Sequence, residues 1–229
     1  MILLAIDTAA SLCAACVWDA GAGRELGRHV EDIGKGHAER LMDVIATAMN
    51  NAGIGYSDLG SIVVSVGPGS FTGIRVGVSA ARGLALALKV PAHGVTTLSA
   101  IAEEAQTRFP AQRIIAAIDA KRDELYAEDH AADGSLLAGP RIVRRQDALD
   151  MLAGDAPVLA GSGSGFLAET AAAANVECED AGGGATADIA IYARLAAQGR
   201  TYNSPPAPLY LRGPDARPQG GHALARAVT

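Results

Sequence analysis

Two aspartates and one glycine-rich stretch are the residues best placed to do chemistry. Asp7 closes the apolar run Ile2-Leu3-Leu4-Ala5-Ile6, and Asp119 closes Ile114-Ile115-Ala116-Ala117-Ile118, with Ala-Ile-Asp common to both. Facing one another across a cleft, two carboxylates would serve general acid–base work. The favoured alternative gives each aspartate a hairpin-turn role. Cys13 and Cys16 form a C-x-x-C, the spacing of a redox pair or of half a metal site. They fall in a strand-like run, where residues three apart point to opposite faces. Cys178 stands alone with no second pair to complete a zinc site, so small core cysteines are expected. Neither G-x-S-x-G nor H-E-x-x-H occurs, which argues against a peptidase.

The glycine stretch is Gly67-Pro68-Gly69-Ser70-Phe71-Thr72-Gly73-Ile74-Arg75-Val76-Gly77. A β-branched run at 61–66 precedes it and reads as a buried strand. The proline-free segment 72–88 follows it and reads as a helix, with Ser70 or Thr72 as N-cap. Backbone amides at such a helix start favour an anion or a carboxylate. Two well-known phosphate loops are excluded by spacing. The third glycine of G-x-G-x-x-G would fall on Thr72, and no lysine lies between Lys35 and Lys89 to make a P-loop. Gly69, Gly73 and Gly77 recur every four residues, leaving one helix face nearly bare backbone. The favoured reading is packing: this face brings another backbone close, within the chain or in a partner.

The elements that position these residues run in a simple order. Segments 2–6, 12–19 and 25–31 read as three strands, the first two a hairpin. A helix at 38–51 carries Leu41, Val44, Ile45, Ala48 and Met49 at helical spacing. After the glycine helix come a short strand at 91–95 and a helix at 98–108 capped by Thr96-Thr97. Segments 113–120 and 124–128 then repeat the opening hairpin, which suggests a duplicated lobe. A strand at 139–145, a short helix at 146–152 and a strand at 157–160 follow. That strand enters a second glycine loop, Gly161-Ser162-Gly163-Ser164-Gly165, before helices at 166–174 and 188–198. Residues 213–229, rich in Gly, Pro and Ala without periodicity, are expected to be a flexible tail.

The chain has 229 residues, enough for one large domain or two lobes. Its formal net charge is −6, so the surface as a whole repels nucleic acid, and any RNA it serves must be held by something else. The opening apolar run is too short for a signal peptide or a membrane span, so a soluble, cytoplasmic chain with no membrane contact is expected.

Five stretches, in order, carry a resemblance. They are Ala5 to Thr8 (A-I-D-T), His37 to Leu41 (H-x-E-R-L), Gly67 to Gly77, Asp119 to Tyr126 (D-A-K-R-x-E-L-Y) and Pro208 to Arg212 (P-x-Y-L-R). Together they resemble the TsaB (YeaZ) family. The resemblance implies an α/β chain of two actin-like (ASKHA, RNase H-like) lobes with mixed sheets flanked by helices. We place these lobes at 1–105 and 106–212. It implies a non-catalytic scaffold in making threonylcarbamoyladenosine next to the anticodon of tRNAs that read codons starting with A. The chain would pair with TsaD, meet TsaE through that pair, touch tRNA only through the complex, and form a homodimer through its first two helices when alone. Partner contacts are then expected at His37, Leu41, Ile45, Met49, Gly69, Gly73, Arg75 and Gly77. A bulky residue at Gly73 or Gly77 would weaken pairing. Nucleotide or anion contacts would fall to Asp7, Thr8 and Gly163. No metal or cofactor is expected on the chain itself, with ATP at most in the complex with TsaD and TsaE. The five histidines, His29, His37, His93, His130 and His222, include no two four apart, so the metal-binding H-x-x-x-H of TsaD-like enzymes is missing. The rival is an ATP-dependent phosphotransferase or ATPase of the same fold. Against it, no glycine follows Asp7-Thr8 to build a phosphate loop.

Overall fold

The computed structural model describes residues 1–212; the tail expected at 213–229 lies outside the described residues. Two sheets of five strands repeat one topology. The first runs β3(Arg24–Asp32), β2(Leu12–Asp19), β1(Ile2–Asp7), β4(Leu59–Ser65), β5(Ala92–Val95). The second runs β8(Leu136–Arg144), β7(Glu124–His130), β6(Ile114–Lys121), β9(Val158–Ala160), β10(Glu179–Gly182). In each, two antiparallel pairings are followed by two parallel ones, so β6 stands where β1 stands. The duplication that the Ala-Ile-Asp echo suggests is therefore a repeat of whole sheets. The fold is the two-lobe actin-like α/β arrangement.

Strand alternation divides the core into three layers. Leu4 and Ile6 of β1 face one side, where α1(His37–Ala52) and α2(Phe71–Leu88) cover the sheet. Leu3 and Ala5 face the other side, where they meet α3(Thr97–Arg108) and α6(Ile189–Ala197). Ile114, Ala116 and Ile118 of β6 reach the same two helices from the second sheet, so α3 and α6 form the shared middle layer. Ile115 and Ala117 point outward under α4(Ala148–Met151) and α5(Ser164–Ala173). The same alternation separates the cysteines. Cys13 packs in the outer layer and Cys16 in the middle one, both free thiols. Burial raises the Cys13 thiol to about 11 and raises that of Cys16 as well.

Three departures from the sequence reading stand out. β10 was not expected: Glu-Asp-Ala-Gly has no β-branched residue and owes its conformation to parallel pairing with β9. The expected lobe boundary at 105/106 falls inside α3. Residues 202–210, assigned to the second lobe, return to the first. There Tyr202 donates its N–H to Gly94 at 2.7 Å and Leu209 donates to Val66 at 2.8 Å. By length and composition α2 is apolar enough to cross a membrane; here its buried face lies on the first sheet.

Candidate functional site

In an actin-like chain the ends of the two central strands meet between the lobes, and that junction is where chemistry would occur. Asp7 ends β1 and is fully buried. Its Oδ1 accepts the Ala9 N–H at 2.9 Å, the hairpin-turn role expected of it. Its Oδ2 accepts the Thr186 hydroxyl, which also shares a 2.7 Å hydrogen bond with the buried Tyr192 hydroxyl. Tyr192 lies on α6 and Thr186 in the loop just before it, 179 residues along the chain from Asp7. Burial pushes the Asp7 carboxyl above the usual carboxylate range, opposed by the hydroxyls of Ser65 and Thr186 and the Ala9 amide. The Ser65 hydroxyl is itself buried and makes no hydrogen bond of standard geometry among the described residues.

The glycine helix closes this junction from the other side. Ser70 caps α2 by accepting the Gly73 N–H at 3.2 Å, and its own N–H is donated to Ala9 at 2.7 Å. Thr8 donates its hydroxyl to the Gly73 carbonyl at 2.7 Å. A Cβ at Gly69 would strike the Ala9 carbonyl, one at Gly73 the Thr8 carbonyl, and one at Gly77 the Thr8 hydroxyl. The four-residue glycine repeat thus lays α2 directly on the β1–β2 turn of its own lobe. The Ser70 and Gly73 amides at its start are bonded within the chain, and Thr8 ties the Gly73 carbonyl.

The second lobe repeats the arrangement in a looser form. Gly161 donates its N–H to Gly182 at 2.8 Å and Gly163 donates to Ala117 at 3.0 Å, so the second glycine loop is also tied up internally. Asp119 accepts the Lys121 N–H at 2.8 Å, again a turn role, and pairs with the Lys121 ammonium at 2.6 Å. That lysine holds the Asp119 carboxyl below the usual range. Lys121, Arg122 and Asp123 all adopt left-handed backbone, with φ of 62°, 56° and 58°. Among the described residues no group of three His, Cys, Asp or Glu side chains could hold a metal ion.

The expected partner contacts need correction. His37, Leu41, Ile45 and Met49 are buried in their own lobe, where His37 Nε2 lies 3.2 Å from the Leu12 carbonyl. Gly73 and Gly77 are buried beneath Thr8, leaving only Gly69 and Arg75 of the eight at the surface. An apolar helical stripe covers its own sheet first. The outward face of these two helices is made by other residues. Met42, Phe71 and Leu86 are exposed apolar side chains, Leu86 being 82% exposed. Arg75 and Arg82 on α2 and its C-cap Lys89 follow at seven-residue intervals, the helix has no acidic residue, and all three are exposed. The Arg75 guanidinium lies 3.7 Å over the Phe71 ring and donates Nε–H to the Tyr210 hydroxyl at 2.7 Å. Two distant motifs, Gly67 to Gly77 and Pro208 to Arg212, therefore meet in one exposed cluster.

Duplicated sheets, a closed junction between them and a glycine helix define a two-lobed actin-like protein. Its residues 27–171 match the family described as "TsaD: tRNA N6-adenosine threonylcarbamoyltransferase". The chain belongs to the TsaB/YeaZ family. It is 35% identical over 133 residues to the tRNA threonylcarbamoyladenosine biosynthesis protein TsaB of Escherichia coli, covering 58% of this chain and 56% of that protein. Over 216 residues it is 32% identical to an uncharacterised protein of Mycobacterium tuberculosis, covering 94% of each. YeaZ from Pseudomonas aeruginosa superimposes with a TM-score of 0.73 at 27% identity, over 92% of this chain and 99% of that one. The chain spans 56%, 63% and 52% of the length of three curated TsaB relatives it matches.

Proposed function

We propose that this chain is a non-catalytic partner subunit in making threonylcarbamoyladenosine next to the anticodon of tRNA. In this reading it docks TsaD through the outward face of α1 and α2 and meets TsaE through that pair. The observation that carries the reading is the filled junction. Asp7, Thr8, the amide of Gly163 and the start of α2 are the groups an actin-like enzyme would turn toward a nucleotide. Each is already bonded to another part of this chain. A nucleotide would have to displace Thr186 and the 182–183 connection to reach them.

The surface supports the docking half of the proposal. Arg82 and Lys89 make no ion pair among the described residues and stand beside exposed Leu86, while Met42 is exposed on α1. Basic and apolar groups in one stripe suit a partner helix with carboxylates around an apolar centre. With a net charge of −6 the chain leaves tRNA to the complex. Size-exclusion chromatography with light scattering, on the chain alone and mixed with TsaD from the same source, tests this. A one-to-one complex is expected, weakened about tenfold or more by the surface pair Arg82→Glu and Leu86→Asp, with thermal stability unchanged. A bulky residue at Gly77 is not a test of pairing, because it collides with Thr8 inside the lobe. Failure to pair with TsaE and nucleotide present, or ATP turnover by the chain alone, would sink the proposal.

A further inference from the structure

Away from the glycine helix, a cavity of about 380 Å³ opens between α3, β7 and the returning segment after α6. Its floor is polar and comes from both lobes. Glu128 and His130 of β7 are 1% and 4% exposed. Glu128 accepts hydrogen bonds from Ser99 Oγ at 2.7 Å and Thr96 Oγ1 at 3.3 Å, and its Oε1 lies 2.9 Å from His130 Nε2. With Nε2–H directed at that carboxylate, the lone pair of the ring sits on Nδ1. Nδ1 makes no hydrogen bond among the described residues. The floor thus offers a negative charge backing an imidazole acceptor.

The rim has the opposite character. Arg200 donates Nη1–H to Glu103 at 2.6 Å, and Arg194 reaches the same carboxylate at 3.2 Å, so two guanidinium groups share one acid. The other N–H groups of Arg200 have no partner among the described residues. Between floor and rim the wall is apolar, with Leu136 and Tyr202 about half exposed at 55% and 49%. A concave, largely apolar wall with a few converging polar groups is the common form of a small-ligand site.

We propose that this cavity binds an aliphatic α-amino acid. The ammonium donates to His130 Nδ1 above the Glu128 charge, the carboxylate meets the free edge of Arg200, and the side chain lies against Leu136 and Tyr202. Neither half-ligand satisfies both poles. The site is separate from the α1–α2 face, so its fate does not depend on the partner reading.

Titration calorimetry on the full chain tests it, with L-leucine as probe and isopentylamine and 4-methylpentanoate as its singly charged halves. Saturable leucine binding is expected, with both halves at least about tenfold weaker. Arg200→Gln and Leu136→Trp, both at the exposed mouth, should each reduce leucine binding about tenfold or more while leaving the circular dichroism spectrum and melting temperature unchanged. In ¹⁵N spectra, leucine should move the His130 Nδ1 resonance of the wild-type chain. Absence of leucine binding at millimolar concentration overturns the proposal. So does binding of either half as tight as leucine, or undiminished binding in Arg200→Gln.

Discussion

Asp7 ends β1 and Asp119 lies two residues before the end of β6, the central strands of two sheets with the same topology, and their local geometry is nearly the same. Each accepts the N–H of the residue two positions on, at 2.9 and 2.8 Å. Their surroundings are opposite. Asp7 is bonded by Thr186 while the glycine helix lies on the adjoining Thr8 and Ala9, and with 1% of its surface exposed its carboxyl is raised by burial. The Asp119 side chain is 43% exposed beside Lys121 and its carboxyl is lowered. Turn geometry is thus written in a few neighbouring residues, whereas the charge state follows from what the rest of the chain lays on top. The first lobe has closed its turn; the second has left it open.

The comparison can be broken most sharply at the glycines. Gly73→Val places a side chain into the Thr8 carbonyl and should cost about 3 kcal/mol or more, read as a lower urea midpoint. The corresponding helix of the second lobe has room: nothing lies within 4 Å of a Cβ at Gly165, and Gly165→Ala should raise stability by up to about 1 kcal/mol. A Gly73→Val chain with an unchanged midpoint would mean that α2 does not need to touch the first turn.

A smaller, pH-dependent contrast comes from the aspartates themselves. The folded pKa of Asp7 lies above its unfolded value, so its contribution is fully present below the ordinary carboxylate range and is lost as pH rises through the folded value. Asp7→Asn cannot ionise, so its stability relative to the parent should improve as pH rises from the ordinary carboxylate value through the folded one and then level off. Asp119 has the opposite sign: its contribution is present above the ordinary carboxylate pKa and lost as pH falls. Because it is largely solvated, Asp119→Asn should cost only about 0.5 kcal/mol at neutral pH and nothing in strong acid. Urea melts of both variants across pH separate the two curves; parallel curves would erase the distinction drawn between the turns.

Much of this was legible in the residues. The succession of strands and helices apart from β10, the helix caps at Ser70 and Thr96 and the separation of Cys13 from Cys16 all follow from local pattern and period. The glycine repeat announced a close approach but not its object, because a bare helix face suits a partner's backbone as well as Thr8 and Ala9. The Leu41 to Met49 stripe was ambiguous for the same reason, and its own sheet took it. Thr186 and Tyr192 carry no motif, and only the tertiary fold brings them to Asp7. Glu128, Ser99 and His130 were equally silent, being 29 or more residues apart across the lobes in the case of Ser99.

The returning segment also bears on how the chain is made. A ribosome releases the first lobe's strands early, yet Leu209 packs into that lobe's outer core and its N–H satisfies the Val66 carbonyl. Tyr210 then reaches Arg75, and Arg212 goes on to the Ala120 carbonyl and the Glu124 carboxylate of the second lobe. The lobe synthesised first therefore emerges unfinished, with its glycine loop short of a hydrogen-bonding neighbour, and is completed only by nearly the last of the described residues to leave the tunnel.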